Sequence, residues 1–127
     1  MRTTRTRILF IEGYKPLHED VARYFAERFP SCDVICCESL AQAIVREQLI
    51  EEHPIVIYGA RPSDTPTTLA EAAATLRKHF GKAKTVLFIG FDLATDELGF
   101  DRVSGRGINT LADIVAPLLP QPPTDQT

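Results

Sequence analysis

Two charged side chains follow apolar segments of the sequence, at positions where a strand would end. Glu12 comes directly after the run ILFI, and Arg106 follows the segment DRVSG. A carboxylate in such a place can act as a general base or bind Mg²⁺, and a guanidinium can bind an anion. Two other apolar runs end in glycine, at Gly59 and Gly90. Glu12 is therefore the only general base to be expected at these four positions, and glycine offers no nucleophile.

Two aspartates lie in loops that follow strand-like segments. Asp64 comes shortly after PIVIYGA, and Asp92 comes directly after TVLFIGF. Each is readable as an additional oxygen ligand for a cation or as the N-cap of a helix. Magnesium requires near-octahedral oxygen ligation, for which Glu12 alone is a poor start. We therefore predict no metal site and no cofactor.

Alternating strand and helix patterns divide most of the chain. The runs RILFIEG, CDVICCE, PIVIYGA, TVLFIGF and DRVSG are typical of strands. Apolar residues at helical spacing predict helices from Pro16 to Phe29, over 40–52 with Ser39 and Gln42 as a capping box, and over 66–80 after the N-cap Thr65. The stretch 92–98 leaves room for two helical turns at most. A last helix is expected to be capped by Asn109 and to kink or end near Pro117.

Five βα units in succession favour a doubly wound α/β fold with a five-stranded parallel sheet and a short fourth helix. In such a sheet a site lies at the carboxyl ends of the strands, which here include Glu12, Gly59, Gly90 and Arg106. We expect one domain over residues 1–119. The proline-rich stretch 120–127 is expected to be a flexible tail or a linker.

Composition excludes several classes of function. The chain has 127 residues and a net charge of −3, so it is not expected to bind nucleic acid or a membrane surface by bulk charge. No apolar run approaches the ~20 residues of a membrane span, and the N-terminus has no signal-peptide pattern. Three cysteines, without zinc or redox spacing, agree with a cytosolic location.

The order of the elements over residues 6–119 resembles the receiver domain of bacterial response regulators, the CheY-like, flavodoxin-like phospho-acceptor module of two-component signalling. RILFIEGYKP is similar to the family's first strand and acidic pair. HPIVIYGARPSDTP is similar to the third strand and the phospho-acceptor loop. TVLFIG and GFDRVSGRGI resemble the fourth strand and the segment around the fifth strand.

The resemblance implies a site whose reactive residues have been replaced. Of the family's acidic pair, Glu12 is present and Gly13 stands in the second place. The acceptor aspartate falls at Gly59, or at Ala60 after a shift of one residue. The remaining positions are the switch hydroxyl at Gly90 and the lysine-proline pair at Arg106 and Gly107. We therefore interpret the chain as a pseudo-receiver that is not competent for aspartyl phosphorylation and not an enzyme.

The resemblance also implies a surface for protein partners. In the family, the fourth helix, fifth strand and fifth helix commonly mediate dimerisation or partner docking, which here corresponds to about residues 92–119. Candidate residues of this face are Asp92, Arg102, Val103, Arg106, Leu111 and Val115. A homodimer or a protein partner is expected, and a DNA-binding output domain would follow if the chain is an N-terminal fragment.

A second interpretation belongs to another class of protein. The glycine-lined cleft, with Glu12 and Arg106, is also compatible with a small flavodoxin-like enzyme or ligand-binding protein for an anionic metabolite or nucleotide. That interpretation requires Glu12, Asp64, Asp92 and Arg106 to converge in the fold. A further hypothesis is that Glu12 and Arg106 pair with each other across the site.

Overall fold

The apolar segments form one parallel sheet. The computed structural model describes residues 6–47 and 55–119, and its strands are β1 (Thr6–Ile11), β2 (Cys32–Cys37), β3 (Ile55–Gly59), β4 (Lys84–Phe88) and β5 (Arg102–Ser104). The strands lie in the order β2-β1-β3-β4-β5, and each neighbouring pair is parallel. The predicted α/β fold with a five-stranded, doubly wound sheet is confirmed.

Four helices cover the two faces of the sheet: α1 (Lys15–Arg28), α2 (Leu40–Glu47), α3 (Pro66–His79) and α4 (Ile108–Val115). Helices α1 and α4 pack on one face, where Phe10 and Ile57 meet Phe25 and Leu111. Helices α2 and α3 contribute to the core on the other face. Because the central strands are covered on both faces, all five residues of β3 are buried. Their carboxyl ends remain at one edge, where a site can form.

The segment between β4 and β5 contains no helix, so the predicted short fourth helix is wrong. Glu97 and Gly99 have φ angles of 61° and 110°, which a right-handed helix cannot include. Tertiary contacts hold the segment instead. Leu98 and Phe100 pack against the core, and Asp101 accepts a hydrogen bond from the Thr85 amide at 2.8 Å.

Helix ends agree with most of the sequence-based expectations. The Thr65 hydroxyl caps α3 by accepting from the Thr68 amide at 3.2 Å. Helix α4 ends at Val115 and continues as a short 3₁₀ turn through Pro117, as the proline predicts. The predicted Asn109 cap is wrong, because Gly107 holds the N-cap position with a φ of 107° and Asn109 lies inside the first turn.

Two predictions fall outside the described residues: the extension of α2 to residue 52 and the tail over 120–127. Among the helices that the structure describes, none is long and apolar enough to cross a bilayer.

Candidate functional site

Glu12 follows β1 and lies beneath the loops at the carboxyl edge of the sheet. The residue is only 8% exposed, and its Oε2 accepts a hydrogen bond from the Tyr14 amide at 3.0 Å. Burial raises the pKa of the Glu12 carboxyl, although the Tyr14 amide, the nearby His18 and the Gly13 amide oppose this effect. The His18 ring contacts the Glu12 main-chain carbonyl, with Nε2 and O separated by 2.6 Å.

The Glu12 carboxylate occupies the space beside Gly59. Ile11 and Tyr58 are partners in the β1–β3 pairing, so the next residues along these strands, Glu12 and Gly59, are neighbours. A Cβ built on Gly59 would lie 2.0 Å from the Glu12 Oε1 and 3.3 Å from the Ile11 carbonyl oxygen. The place into which a side chain at residue 59 would project is therefore filled by the carboxylate of residue 12.

Arg106 bonds to the backbone and not to Glu12. Its Nη2 and Nε donate to the Gly90 carbonyl at 2.7 and 3.2 Å, which ties the loop after β5 to the end of β4. The hypothesis that Glu12 and Arg106 form an ion pair is therefore wrong. A Cβ added to Gly90 would meet nothing within 4 Å, so space is open at this strand end.

Asp64 organises the loop between β3 and α3. Its side chain is 2% exposed, and its oxygens accept from the Arg61 amide at 2.7 Å and the Thr68 hydroxyl at 2.8 Å. Asp64 is thus held by local bonds just before the true N-cap, Thr65. Asp92 is exposed and lines neither of the cavities that Glu12 lines.

Glu12 lines two cavities. The first, which we call the α2–α3 cavity, has a volume of about 410 Å³ and is rich in carboxylates and hydroxyls, among them Glu38, Asp64, Thr68 and Glu71. The second, the strand-end cavity, has a volume of about 340 Å³ and is mostly apolar. Arg106 and Gly90 line only the strand-end cavity, and Asp64 and Gly59 line only the α2–α3 cavity. The four predicted charged residues therefore do not converge.

Tyr58 is a cavity residue that is not among the candidates indicated by the sequence. It is 7% exposed, lines the α2–α3 cavity and stacks on Phe100 with ring centroids 6.1 Å apart. Burial, followed by the nearby Asp64 charge, raises the pKa of its hydroxyl. The signal in the sequence is a single phenol at the end of an otherwise aliphatic strand.

The predicted interaction face is only partly exposed. Asp92, Arg102 and Arg106 are exposed, and Val103 is 37% exposed. Leu111 and Val115 are fully buried on the inner side of α4, so their assignment to this face is wrong. The helical spacing correctly indicates that α4 has an apolar side, but this side packs into the core and not at the surface. Within residues 6–47 and 55–119, no three His, Cys, Asp or Glu side chains are grouped closely enough to hold a metal ion.

Several solved structures with a similar backbone are receiver domains or response regulators. The receiver domain of the hybrid histidine kinase CckA has 24% identity and a TM-score of 0.63, with 90% of this chain and 99% of that chain covered. An orphan response regulator of H. pylori has 15% identity and a TM-score of 0.68, with coverages of 93% and 100%. A response regulator receiver protein from Pseudomonas putida has 15% identity and a TM-score of 0.70, with coverages of 89% and 97%.

No protein-family model and no curated protein matches the sequence. The resemblance is therefore one of fold, and the chain has the fold of a receiver domain.

Proposed function

We propose that this chain is a pseudo-receiver, a non-catalytic signalling module that acts by binding another protein and is not phosphorylated on aspartate. The observation that carries the proposal is the contact between Glu12 and Gly59. Where the resemblance places the acceptor aspartate, the residue is glycine, and the Glu12 carboxylate lies in the space that an acceptor side chain would need. A buried glutamate tied to the Tyr14 amide is poorly placed to receive a phosphoryl group.

The surroundings of Arg106 support the same proposal. A receiver that responds to phosphorylation needs a cation free to meet the phosphoryl group. The Arg106 guanidinium instead donates to the Gly90 carbonyl, and Gly90 itself has no hydroxyl that could rearrange. With both groups engaged or missing, we infer that the domain stays in one state unless a partner or ligand favours another.

The proposed docking surface consists of the exposed members of the predicted face. Asp92, Arg102 and Val103 provide two opposite charges and an apolar side chain near the β5 edge of the sheet, and Arg106 follows at the strand end. We infer that a protein partner, or a second copy of this chain, binds here. Such a surface fits a polar interface with a small apolar centre.

An enzymatic function receives less support from the geometry. The enzyme interpretation requires several charged groups around one reacting atom. Asp64 is occupied by the loop that precedes α3, and Asp92 lies outside both cavities.

The first experiment is phosphorylation of the purified protein with acetyl phosphate and Mg²⁺, read by intact mass. We expect no phosphoryl adduct under conditions in which an ordinary receiver domain, treated in parallel, is modified. An adduct on any aspartate would overturn the proposal.

Partner binding is tested with a surface variant. Arg102→Glu with Val103→Asp changes the charge and apolar centre of the proposed face, and Glu27→Arg on the exposed side of α1 is the control. We expect the double variant alone to lose a partner recovered by affinity enrichment, or to lose dimers seen by light scattering. Equal recovery and equal mass with both variants would contradict docking at this face.

A further inference from the structure

The strand-end cavity combines an apolar wall with one buried charge. Carbon atoms of six side chains form most of the wall: Leu17, Ala60, Pro62, Phe88, Phe91 and Ile108. The Tyr14 ring, which is 64% exposed, also lines the cavity. The volume of about 340 Å³ lies at the lower end of the range for small-molecule sites. An aromatic group that enters such a cavity gains free energy by leaving water.

Glu12 provides the polar end of this cavity. Its Oε2 accepts from the amide of Tyr14, which also lines this cavity, and Oε2 keeps a second lone pair for a ligand, while Oε1 lies beside Gly59 on the side of the α2–α3 cavity. No lysine or arginine of the described residues forms an ion pair with it. The His18 ring lies near the carboxylate but contacts the Glu12 main-chain carbonyl. Burial of the carboxylate carries an unfavourable desolvation cost, and an incoming cation that donates directly to it offsets that cost.

Arg106 is expected to attract a ligand of opposite charge less strongly than Glu12 does. It lies on the exposed side of the cavity and already donates twice to the Gly90 carbonyl. Water and salt screen an exposed guanidinium far more than they screen a buried carboxylate. The electrostatic preference of the cavity is therefore for a cationic group, in contrast to the anionic metabolite of the second interpretation.

We propose that the strand-end cavity binds a small aromatic compound carrying a primary amine, with the ring against Phe88 and Phe91 and the ammonium group on the Glu12 carboxylate. The ammonium donates hydrogen bonds and a charge, both of which Glu12 accepts. This inference goes beyond the proposed function and does not depend on it. Phosphorylation and partner docking can each fail or succeed without changing the result of the experiment below.

The probe is tryptamine, and its matched control is indole-3-propionate, which has the same ring and chain length but a carboxylate in place of the amine. Titration calorimetry near neutral pH is expected to show saturable tryptamine binding with a Kd below about 1 mM. Because the charged hydrogen bond to Glu12 is lost, indole-3-propionate is expected to bind about ten- to a hundredfold more weakly. No tryptamine binding, or equal affinity for the two compounds, would overturn the proposal.

Three variants locate the binding. Glu12→Gln keeps an oxygen that can accept from the Tyr14 amide but removes the charge, and we expect about ten- to a hundredfold weaker tryptamine binding. Gly90 lines the cavity and has room for a side chain, since a Cβ there would meet nothing within 4 Å, and we expect Gly90→Leu to block binding. Gly105→Leu is the control, since Gly105 also has free space but does not line the cavity.

Thermal melts by circular dichroism accompany each titration. If Glu12→Gln does not fold, the comparison of Gly90→Leu with Gly105→Leu still decides. Binding that is unchanged in Gly90→Leu would place tryptamine elsewhere on the chain and refute the proposed site.

Discussion

The two cavities beside Glu12 differ in what their polar groups do. In the α2–α3 cavity, Asp64 is satisfied by the Arg61 amide and the Thr68 hydroxyl, so it serves the loop that begins α3. In the strand-end cavity, the wall is carbon and Glu12 lacks a cationic partner among the described lysines and arginines. The comparison teaches that a count of carboxylates is a poor guide to function. Asp64 in the more acidic cavity stabilises a loop, whereas Glu12, which borders both cavities, has no lysine or arginine of the described residues as an ion-pair partner.

The largest expected effect comes from removing Asp64. Asp64→Ala removes a buried side chain that accepts two partly buried hydrogen bonds, from the Arg61 amide and the Thr68 hydroxyl, so we expect a loss of about 2–4 kcal/mol in the free energy of unfolding. Urea denaturation measures it. Asp92→Ala, at an exposed aspartate, is the control and should change stability by less than about 0.5 kcal/mol. If the two variants lost similar amounts of free energy of unfolding, the claim that Asp64 stabilises the loop before α3 would be wrong.

Gly59→Ala probes the wall between the two cavities. The new Cβ requires the Glu12 carboxylate to move away from 2.0 Å, which breaks its bond to the Tyr14 amide and costs about 1–2 kcal/mol. Adding Glu12→Ala should reduce the effect of Gly59→Ala, and a double-mutant cycle measures this coupling. Gly13→Ala is the control, because its Cβ would meet the Glu38 carbonyl oxygen at an ordinary 3.7 Å. Additive effects would show that Glu12 does not fill the space beside residue 59.

Glu12→Gln sharpens the comparison through its pH dependence. Because burial raises the Glu12 pKa above 4.5 in the folded chain, the folded state binds this proton more tightly than the unfolded state. The resulting stabilisation is complete below pH 4.5 and is lost as the pH rises through the raised pKa. The variant cannot ionise, so it should gain stability relative to the parent between about pH 4 and about pH 7.

Urea denaturation at the two pH values checks this sign, with His18 and the Gly13 and Tyr14 amides as the groups that oppose the shift. Glu27→Gln, on the exposed side of α1, controls for the loss of a surface carboxylate. The opposite result is that the free energy of unfolding of the parent rises relative to that of Glu12→Gln toward neutral pH. It would mean that the hydrogen bonds to the carboxylate lower the Glu12 pKa by more than burial raises it.

The smallest effect is expected at Arg106. Arg106→Ala removes hydrogen bonds from an exposed guanidinium to a carbonyl, so stability should change by less than about 0.5 kcal/mol in urea. Arg102→Ala is matched, since Arg102 also donates to a carbonyl, that of Asp101, from an exposed position. A loss at Arg106 above 1.5 kcal/mol (about that of a buried hydrogen bond) would show that it braces the strand-end cavity.

Much of the fold follows from local patterns in the sequence. Continuous apolar runs predict β1, β3 and β4, and Thr65 and Pro117 mark helix boundaries because their chemistry acts within a few residues. The absent helix before β5 could not be predicted in this way. Leu98 and Phe100 are drawn into the core by tertiary packing, and that packing overrides the local pattern.

The candidate site is only partly predictable from the sequence. Strand periodicity identifies the strand ends, but it does not give the direction in which a long side chain points or the residue that it contacts. The sequence marks Glu12 and Gly59 as strand-end residues, but their contact depends on the β1–β3 register. Its position predicts that Arg106 faces a ligand or Glu12, and the loop geometry directs it to Gly90. The assignment of Leu111 to a surface fails because a helical stripe alone does not distinguish a core face from a docking face.

The irregular segment before β5 has a consequence for the speed of partner binding. Near β5 it is held by the Asp101 contacts with Thr85 and by the Arg77 guanidinium, which donates to the Gly99 carbonyl, and Leu98 and Phe100 pack against the core. A partner that docks beside this segment therefore meets a surface that is already ordered. Its association rate should follow diffusion and long-range charge, near 10⁵–10⁷ M⁻¹s⁻¹ as an order of magnitude, without a slow ordering step. Raising the ionic strength would then alter the rate of encounter more than the lifetime of the complex.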